Sequence, residues 1–374
     1  MQNTMALIDK LHIAKSIFSI TPYQPGKSDL SGRNDVIKLS SNENALGCSP
    51  LVSKKFAELT NQLNRYPDGD SKILREKIAA LHKIDIKQII CGAGSDEIIN
   101  LIINAFTTYH DEIIHTEHGF LMYNIYALSN NVTPIIAPEV NLTADIDNIL
   151  TKVTDKTRIV FIANPNNPTG SYLTYQQLKN LRVQLREDIL LVIDGAYAEY
   201  VTKDDYESGF NLVKEYNNVI ATRTFSKIYG LASVRLGYGY MDVALIDILN
   251  RIRSPFNVNL IAQKLGEIAI SDQEFIKKSR DHNSFWIKKI SQTLTKLNIA
   301  FQPIIANFIL LDLKTPSQAE EFTNFLNEKG IIVRAMSSYN LPSRVRITIG
   351  TEQENEKLLN YISLWKQDMV KENK

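Results

Sequence analysis

The sequence predicts an α/β protein, in which a large domain has a mostly parallel sheet flanked by helices and a smaller domain is α+β. Three observations carry this prediction. The chain of 374 residues is long enough for two domains. From residue 88 onward, short apolar runs alternate with helical periodicity, which is typical of a parallel sheet with helices on both faces. Near Pro255 this rhythm changes to long helices followed by a few strands.

The first part of the chain predicts an arm and two helices. Residues 1–40 carry scattered prolines and glycines, and they predict an irregular arm that packs with the small domain. Helical periodicity appears at 51–63 and at 71–82. Ser71 or Asp70 is the predicted N-cap of the second helix, because short polar side chains accept from free N–H groups at helix starts.

The large domain is placed at 41–255, where β-branched runs alternate with amphipathic segments. Its predicted strands are 88–91, 112–114, 134–136, 158–163, 189–194, 219–223 and 237–240. Its predicted helices between and after these strands are 95–106, 120–129, 174–186 and 243–252.

The small domain is placed at 256–374 and is predicted to begin with one long helix at 257–291. Its further predicted elements are strands at 307–312, 331–334 and 344–349, and helices at 316–329 and from 352 onward.

Composition and charge argue against several classes of protein. The chain has 42 basic and 41 acidic residues, so its charge gives no reason to expect nucleic acid or an anionic membrane as a partner. No apolar run approaches the roughly 18 residues of a membrane span, and the first residues do not form a signal peptide. Cys48 and Cys91 form neither a disulfide framework nor a metal-ligand spacing. We therefore expect a cytoplasmic protein without a metal site.

The six histidines also show no metal-ligand spacing. Those with glycine or charged neighbours, such as His118, are interpreted as surface residues.

Four motifs follow predicted strands at their carboxyl ends, which is where ligands bind in open α/β sheets. They are Gly92–Ser95, Asn164–Gly170, Asp194 and the pair Ser226-Lys227. We expect the four strand ends to converge on one pocket.

Lys227 is the residue whose surroundings indicate a reaction type. An amine condenses with an aldehyde to a Schiff base. The hydroxyl of Ser226 and the guanidinium of Arg235, eight residues after the lysine, suit a phosphate dianion. One cofactor, pyridoxal phosphate, carries an aldehyde and a phosphate on the same ring, and proteins hold it through a lysine. Because most lysines are surface residues, the other motifs must support this interpretation.

The remaining strand-end motifs each have a cofactor interpretation and a structural one. Gly94, Ser95 and Asp96 open a helix whose free N–H groups attract phosphate, or they form a plain strand-to-helix turn with Ser95 as N-cap. Asp194 pairs with a protonated pyridine nitrogen, or it caps the next segment.

Two further side chains of these motifs suit the ring oxygen of such a cofactor. Asn167 lies in a rigid Asn-Pro loop and has an amide that can donate to this oxygen. Tyr197 follows Asp194 by three residues and can hydrogen-bond the same oxygen.

Arginines on neighbouring segments of the small domain suit an anionic substrate. Arg334 and Arg346 each offer a two-pronged hydrogen-bonding group to a carboxylate or phosphate, although most arginines form surface salt bridges. Arg344 lies on the same strand face as Arg346, so spacing alone does not separate the two.

Together these residues resemble the class I/II aminotransferases of PLP fold type I and, within them, are similar to the histidinol-phosphate aminotransferases. The resemblance covers essentially the whole chain. The matching stretches are Thr21–Tyr23, Leu39–Asn44, Arg65–Gly69, Gly94–Glu97, Asn164–Gly170, Asp194–Tyr197, Arg223–Lys227 with Arg235, Pro255–Asn259, Asn307-Phe308, Val333-Arg334 and Arg346–Thr351.

The resemblance implies pyridoxal 5'-phosphate as cofactor and assigns roles around it. Lys227 would form the Schiff base and carry the proton, Asp194 would hold the pyridine nitrogen, and Asn167 and Tyr197 would hold the ring oxygen. Phe120 would stack on the ring. The residues assigned to the phosphate are Gly94, Ser95, Asp96, Ser226 and Arg235.

The resemblance also implies a homodimer with shared active sites, because Tyr66 would reach the cofactor phosphate of the neighbouring subunit. Arg346 would hold the carboxylate of glutamate and the phosphate of histidinol phosphate in turn. Arg334 and Tyr23 would help with that phosphate, and Asn42 would contact the substrate.

Two positions depart from the family pattern. Gly195 follows Asp194 where the family often has glutamate. Phe120 stands where the family often has tyrosine, and its ring can stack but cannot donate a hydrogen bond.

The implied reaction is transamination between histidinol phosphate and 2-oxoglutarate, giving imidazole acetol phosphate and glutamate. Two related activities remain open, namely transamination of aromatic amino acids and decarboxylation of a phosphorylated amino acid such as threonine phosphate. A third alternative, a PLP-binding regulator, needs a DNA-binding extension, and the arm is too short and not basic enough for one.

Overall fold

The computed structural model describes residues 11, 13–33, 35–302 and 305–372. Residues 1–10, 12 and 34 of the predicted arm lie outside the described residues, and so do 303, 304, 373 and 374 of the predicted small domain.

A seven-stranded, mostly parallel sheet forms the centre of the larger part of the fold. Its spatial order is β2-β10-β9-β8-β7-β3-β4, in which β10 is antiparallel to both neighbours and the other pairs are parallel. The strands are β2 (Ile89–Gly92), β3 (Glu112–Thr116), β4 (Thr133–Ala137), β7 (Thr157–Ala163), β8 (Leu190–Asp194), β9 (Val219–Thr224) and β10 (Gly237–Tyr240). The predicted fold class is confirmed.

The central strands of this sheet are buried on both faces. Every residue of β8 and β9 is buried, as expected for apolar strands that helices cover above and below. The helices that flank or follow this sheet are α1 (Pro50–Glu58), α2 (Lys72–His82), α3 (Ser95–Phe106), α4 (Leu121–Ser129), α5 (Ile146–Thr151), α6 (Tyr175–Gln184), α7 (Phe210–Glu215), α8 (Val243–Ile252) and α9 (Leu260–Ala269).

A second, four-stranded antiparallel sheet has the order β11-β12-β15-β14. Its core is built around Trp286, Phe322 and Trp365. The elements of this part are β11 (Ala300–Phe301), β12 (Phe308–Asp312), β14 (Arg334–Met336), β15 (Leu341–Thr348), α10 (Gln273–Lys296), α11 (Pro316–Glu328) and α12 (Glu352–Glu372). The domain boundary near residue 255 stays a prediction.

The N-terminal segment touches both parts of the fold. Strand β1 (Ile37–Lys38) pairs in parallel with β13 (Ile331–Ile332). Farther upstream, the Ser16 hydroxyl donates to Asn131 Oδ1 at 2.8 Å, beyond the end of α4. The single strand predicted at 331–334 is therefore wrong, since β13 pairs with the arm and β14 joins the antiparallel sheet.

Two other predicted elements are also corrected. The helix predicted at 257–291 is two helices, α9 and α10, because the Asp272 carboxylate accepts from the N–H of Phe275 at 3.1 Å and starts a new helix. The helix predicted at 51–63 ends at Glu58 and is followed by a 3-10 turn, Thr60–Gln62.

Several short elements had no sequence signal, because they are too short to show a full period. They are α5, α7, β1, β11, and the hairpin of β5 (Glu139–Val140) and β6 (Thr143–Ala144). The 3-10 turns are Lys15–Ser19, Thr60–Gln62, Ile86–Gln88, Ala198–Tyr200, Ala232–Val234 and Ser337–Tyr339.

Ser71, one of the two residues predicted as N-cap of α2, occupies that position, but its side chain does not cap the helix. Ser71 has a left-handed backbone, with φ of 50°, and its side chain makes no capping bond. Asp68 takes over this function, since its carboxylate accepts from the N–H of Lys72 at 2.7 Å and from that of Asp70 at 3.0 Å. These backbone bonds hold the pKa of the Asp68 carboxyl below its usual range.

We expect Asp68→Ala to lower the free energy of unfolding by about 1 kcal/mol at neutral pH, the usual cost of losing a helix cap. Because the folded pKa of Asp68 is lowered, its contribution is present above the ordinary carboxyl pKa of about 4 and is lost as the pH falls through the folded pKa. Urea denaturation of both proteins at several pH values measures the difference. Ser71→Ala is the control, and an equal loss in that variant would return the cap to Ser71.

Candidate active site

One cleft of about 250 Å³ lies where the strand ends of the large sheet meet the small sheet and the N-terminal segment. The carboxyl ends of β2, β7, β8 and β9 converge there, as predicted. The loop after β3 and the segment before β10 also reach it. The predicted site residues that line the cleft are Tyr23, Asn42, Ser95, Asp96, Phe120, Asn167, Asp194, Tyr197, Ser226, Lys227, Arg235, Arg334 and Arg346.

Two predicted site residues do not line the cleft. Gly94 lies directly beneath Arg235, and a Cβ on this glycine would stand 2.5 Å from Arg235 Nη2. Its φ of 86° also favours glycine. Tyr66 is 83% exposed and stacks on Phe256, with 4.6 Å between the ring centroids.

Asp194 is a buried carboxylate at the end of β8. Its Oδ2 accepts from the hydroxyl of Tyr123 at 2.8 Å, and its Oδ1 accepts from the hydroxyl of Thr222 at 3.0 Å. Burial raises the pKa of Asp194, although both hydrogen bonds oppose that shift. Within the described residues Asp194 forms no salt bridge, so its carboxyl group is available to pair with a bound cation.

Arg346 is the opposite case, a buried cation on β15. It donates from Nη1 to Asn167 Oδ1 and from Nη2 to the carbonyl of Ser40 at 2.8 Å. Its Nε is buried without a partner in the described structure, and burial lowers the pKa of the guanidinium. Both bonded acceptors are uncharged, so Arg346 retains its capacity to bind an anion.

The bond to Arg346 also orients Asn167. Because a guanidinium only donates, the Asn167 atom facing it must be the carbonyl oxygen. The amide NH₂ of Asn167 is therefore the group left for a ligand in the cleft.

A cluster at the start of α3 suits a phosphate. Arg235 Nη1 donates to Ser226 Oγ at 3.0 Å, and Arg235 Nη2 donates to Asp96 Oδ2 at 2.9 Å. Burial raises the pKa of Asp96, and Arg235 opposes that shift. The N–H groups in the first turn of α3 have no partner within the helix and face the same region.

Ser95 is not the N-cap of α3, as the plain-turn interpretation had it. Gly94 occupies that position, and no side chain caps the helix. The Glu97 carboxylate instead accepts from the N–H of Ala93 at 2.6 Å.

Lys227 directly follows Ser226, a member of the cluster that suits a phosphate, and it lies near the Tyr197 ring. Its Nζ stands 5.6 Å from the centroid of the Tyr197 ring. The Tyr197 hydroxyl accepts from Asn42 Nδ2 at 2.9 Å, which leaves its own proton available to a ligand. Among the residues that the structure covers, no carboxylate forms a salt bridge with Lys227, and its side chain lines the cleft.

The structure separates the two arginines that spacing could not. Arg344 forms an ion pair with Asp312 at 2.9 Å and lies outside the cleft lining, whereas Arg346 points into it. Arg334 is paired across the sheet with Arg346 and donates from Nη2 to the carbonyl of Gln24 at 2.7 Å.

Gly195 has a packing reason to be glycine. A Cβ there would overlap the buried Arg223 guanidinium. Arg223 is held in that place by bonds to the carbonyls of Thr222 at 2.7 Å and Ser208 at 2.6 Å, and it stands 3.7 Å from the Glu199 carboxylate. A carboxylate four residues after Gly195 thus approaches this guanidinium.

Three residues of the cleft or its wall escaped the sequence analysis. Tyr123 follows Phe120 by one helical turn, and that spacing was an available signal. Thr222 lies opposite Asp194 in the β8–β9 register, which becomes visible only when the strands are paired. Tyr339 belongs to a 3-10 turn before β15 and had no local signal.

The interpretation of His118 as a surface residue is wrong. Its side chain is buried, and its Nδ1 stands 2.9 Å from Glu139 Oε2 in the β5–β6 hairpin. The hairpin contacts His118 from a distant part of the chain, so the residues next to His118 in sequence do not predict that it is buried. The His118 carbonyl also accepts from Asn166 Nδ2 at 3.2 Å.

Two further features concern the described ranges, residues 11, 13–33, 35–302 and 305–372. No helix in them combines the length and apolar character needed to cross a bilayer. No group of three or more His, Cys, Asp or Glu side chains in them is arranged to bind a metal ion.

Comparisons with known proteins extend the geometric picture. The histidinol-phosphate aminotransferase of Maricaulis maris (strain MCS10) is 42% identical over 349 residues, covering 93% of this chain and 96% of the relative. The enzyme of the same name from Paramagnetospirillum magneticum (strain ATCC 700264 / AMB-1) is 44% identical over 342 residues, covering 91% and 94%.

Among solved structures, the histidinol-phosphate aminotransferase from Sinorhizobium meliloti in complex with pyridoxal-5'-phosphate has the same fold. The TM-score is 0.85 at 23% identity, and the match covers 90% of this chain and 93% of that chain. The sequence profile of the family "Aminotransferase class I and II" matches residues 34–362. The chain belongs to the class I and II aminotransferase family.

Proposed function

We propose that the protein is a pyridoxal phosphate-dependent aminotransferase that exchanges the amino group between histidinol phosphate and 2-oxoglutarate, a step of histidine biosynthesis. The relatives at 42% and 44% identity carry the name of that activity. Their matches cover more than nine-tenths of this chain and support the substrate assignment along with the family.

One observation supports the proposal most directly. The same cleft contains a buried carboxylate without a cation, Asp194, and a buried guanidinium without a carboxylate, Arg346, as far as the described residues extend. Isolated buried charges destabilise a protein unless a ligand neutralises them. A cofactor with a cationic ring nitrogen would neutralise Asp194, and a substrate with an anionic group would neutralise Arg346.

The side chains of the cleft fit pyridoxal phosphate group by group. Asp194 would pair with a protonated ring nitrogen, and the Asn167 amide and the Tyr197 hydroxyl would donate to the ring oxygen. Ser226, Arg235 and the N-terminus of α3 suit the phosphate. Bound pyridoxal phosphate supplies an aldehyde and an electron-withdrawing ring.

Lys227 performs two tasks in the proposed reaction. Its amine would hold the cofactor aldehyde, and it would then serve as the base that moves a proton in the amino transfer. The Tyr197 ring lies near its Nζ, with 5.6 Å from the nitrogen to the ring centroid. Phe120 lines the same cleft, and its ring would pack on the cofactor and exclude water.

The arginines account for the anionic parts of the substrates. Arg346 holds the carboxylate of glutamate or 2-oxoglutarate, and in the other half-reaction it holds the phosphate of histidinol phosphate. Arg334 and Tyr23 lie in the same lining and add donors for that phosphate. Asn42 donates to the Tyr197 hydroxyl and lines the same cleft, where it would contact the substrate.

The alternatives have weaker support. Aromatic amino acids also suit a cleft with an anion site and a flat-ring pocket, and a phosphorylated amino acid suits the arginines. The names of the relatives favour neither transamination of aromatic amino acids nor decarboxylation of threonine phosphate.

We also propose a homodimer in which Tyr66 contributes to the active site of the other subunit. Tyr66 lies outside the cleft of its own chain. Its side chain is 83% exposed, and its ring stacks on Phe256. Leu63 is 60% exposed and Phe256 is 43% exposed, so an apolar surface surrounds the tyrosine. A second copy related by two-fold symmetry would cover this surface.

The cytoplasmic location stays a prediction.

The proposed reaction predicts how single amino donors affect the enzyme loaded with its cofactor. Glutamate and histidinol phosphate should each change the visible absorbance of the bound cofactor rapidly, because both complete a half-reaction. The decisive comparison is with phenylalanine. A fast response to phenylalanine with none to histidinol phosphate contradicts the proposal, and release of CO2 from threonine phosphate would point to the decarboxylase.

Arginine variants sharpen this comparison. Arg334→Ala should raise the KM for histidinol phosphate about tenfold or more and change that for glutamate much less, because the lost donor faces the phosphate. Arg344→Ala removes an arginine of the neighbouring strand that pairs with Asp312 outside the cleft, so both KM values should stay unchanged.

We expect Asp194→Asn to stabilise the cofactor-free protein while weakening cofactor binding. Because the folded pKa of Asp194 is raised, its ionised form destabilises the fold at neutral pH, and asparagine removes that cost. The melting temperature should rise by about 1 to 3 °C. The dissociation constant for pyridoxal phosphate should increase at least about 100-fold, because the ring nitrogen loses its counter-ion.

The pH dependence of the melting temperature distinguishes the ionisation of Asp194 from a general effect of the substitution on stability. The destabilisation in wild type is absent below the ordinary carboxyl pKa of about 4 and grows as the pH rises to the raised folded pKa. The melting-temperature difference should therefore narrow as the pH falls. Asp205→Asn changes an exposed aspartate that accepts from Tyr172 at the same distance of 2.8 Å, and it should show neither effect.

Shared active sites predict complementation between two defective subunits. Lys227→Ala should abolish the reaction, and Tyr66→Phe should weaken cofactor binding about tenfold. Mixed dimers of the two contain one site with both native residues, so activity should recover toward about one quarter of the wild-type value. Lys227→Ala mixed with Ser226→Ala provides the control, since both residues belong to the same chain's cleft and no native site forms. Recovery in the control alone, or in neither mixture, contradicts the shared site.

A further inference from the structure

Building on the proposed function, we infer that Tyr123 and Thr222 are positioning residues of the reaction. Each holds one carboxylate oxygen of Asp194 and thereby aims the carboxylate at the ring nitrogen of the cofactor. Neither residue belongs to the motifs that identify the site, and Tyr123 does not line the cleft.

The two hydrogen bonds form a clamp from opposite sides of Asp194. Tyr123 on α4 donates to Oδ2 at 2.8 Å, and Thr222 on β9 donates to Oδ1 at 3.0 Å. A carboxylate turns about its last side-chain bond unless both oxygens are bonded. With one donor on each oxygen, the plane of the Asp194 carboxylate is set, and each oxygen keeps lone pairs for a further donor.

The first donor is itself held rigidly. The Tyr123 ring is fully buried and stacks on Phe161 with 4.7 Å between centroids and 16° between planes. It also meets the ring of Phe120 edge to face, at 5.8 Å and 88°. The ring that covers the cofactor face is thus packed directly on the residue that holds Asp194.

The second donor is rigid for a different reason. Thr222 lies within the buried strand β9, directly opposite Asp194 in the β8–β9 register. Its carbonyl accepts from the N–H of Gly195 at 3.1 Å and from Arg223 Nη1 at 2.7 Å. The residue after Asp194 is therefore tied to the same threonine.

Both donors are neutral, so they orient the Asp194 carboxylate without neutralising it. A cationic partner would cancel the charge of Asp194, whereas hydroxyl groups orient and stabilise the carboxylate and leave its charge for the ring nitrogen. The buried Arg223 is close by on β9, but it donates to the carbonyls of Thr222 and Ser208. The hydroxyl of Tyr123 remains protonated at working pH, because burial raises its pKa well above the ordinary value and the negative Asp194 raises it further.

Tyr123→Phe tests the clamp, because it keeps the stacked ring and removes only the hydroxyl. We expect kcat with histidinol phosphate to fall about tenfold while the KM values of both substrates stay within about twofold, since no substrate contact is lost. The midpoint of the pH titration of the visible cofactor absorbance should move by about half a unit or more, because the basicity of Asp194 changes. Thr222→Val should act in the same direction, and Thr222→Ser should behave as wild type.

Tyr172→Phe is the matched control, as it removes a tyrosine–aspartate bond of the same length at the surface. If both hydroxyl deletions leave the absorbance midpoint and kcat unchanged, or lower only the melting temperature, the clamp is structural and the inference is wrong. If Tyr123→Phe does not fold, the comparison of Thr222→Val with Thr222→Ser decides. Failure of wild type to bind pyridoxal phosphate or to react with glutamate would instead overturn the proposed function.

Discussion

The burial of Asp194 at the carboxyl end of β8 is the constraint on which the rest of the site depends. A carboxylate removed from water destabilises the fold unless hydrogen bonds and a counter-charge satisfy it. Tyr123 and Thr222 supply the hydrogen bonds, and no cation among the described residues supplies the charge. Under the proposed function, a cationic ring bound beside Asp194 would relieve this unfavourable state. Binding of the cofactor and stability of the fold would then be coupled through this one group.

The second unbalanced charge shows how the parts of the fold combine. Arg346 comes from the small sheet, yet it donates to Asn167 at a strand end of the large sheet and to the Ser40 carbonyl in the N-terminal segment. The anion site therefore exists only when these three parts are packed together. The guanidinium also fixes which way the Asn167 amide faces. Under the proposed function, one hydrogen bond would therefore join the residue that binds the substrate anion to the residue that donates to the cofactor, and a change in substrate contacts would alter the cofactor contact.

The two departures from the family pattern have physical explanations. Gly195 leaves room for the Arg223 guanidinium, and Glu199 provides a carboxylate near that cation. Phe120 cannot donate a hydrogen bond, but the hydroxyl that reaches Asp194 comes from Tyr123, one helical turn later.

Local patterns in the sequence determined the alternation of strands and helices and the strand ends that carry the motifs, and they predicted Lys227 as the reactive amine. Packing alone decided the split between α9 and α10, the Asp68 cap, the burial of His118 and the difference between Arg344 and Arg346. It also decided the contacts of Tyr123, Thr222 and Tyr339. The physical reason is the distance along the chain over which each kind of signal acts. Periodicity and caps report neighbours along the chain, whereas the bonds from Tyr123 to Asp194 and from Arg346 to Asn167 span 71 and 179 residues.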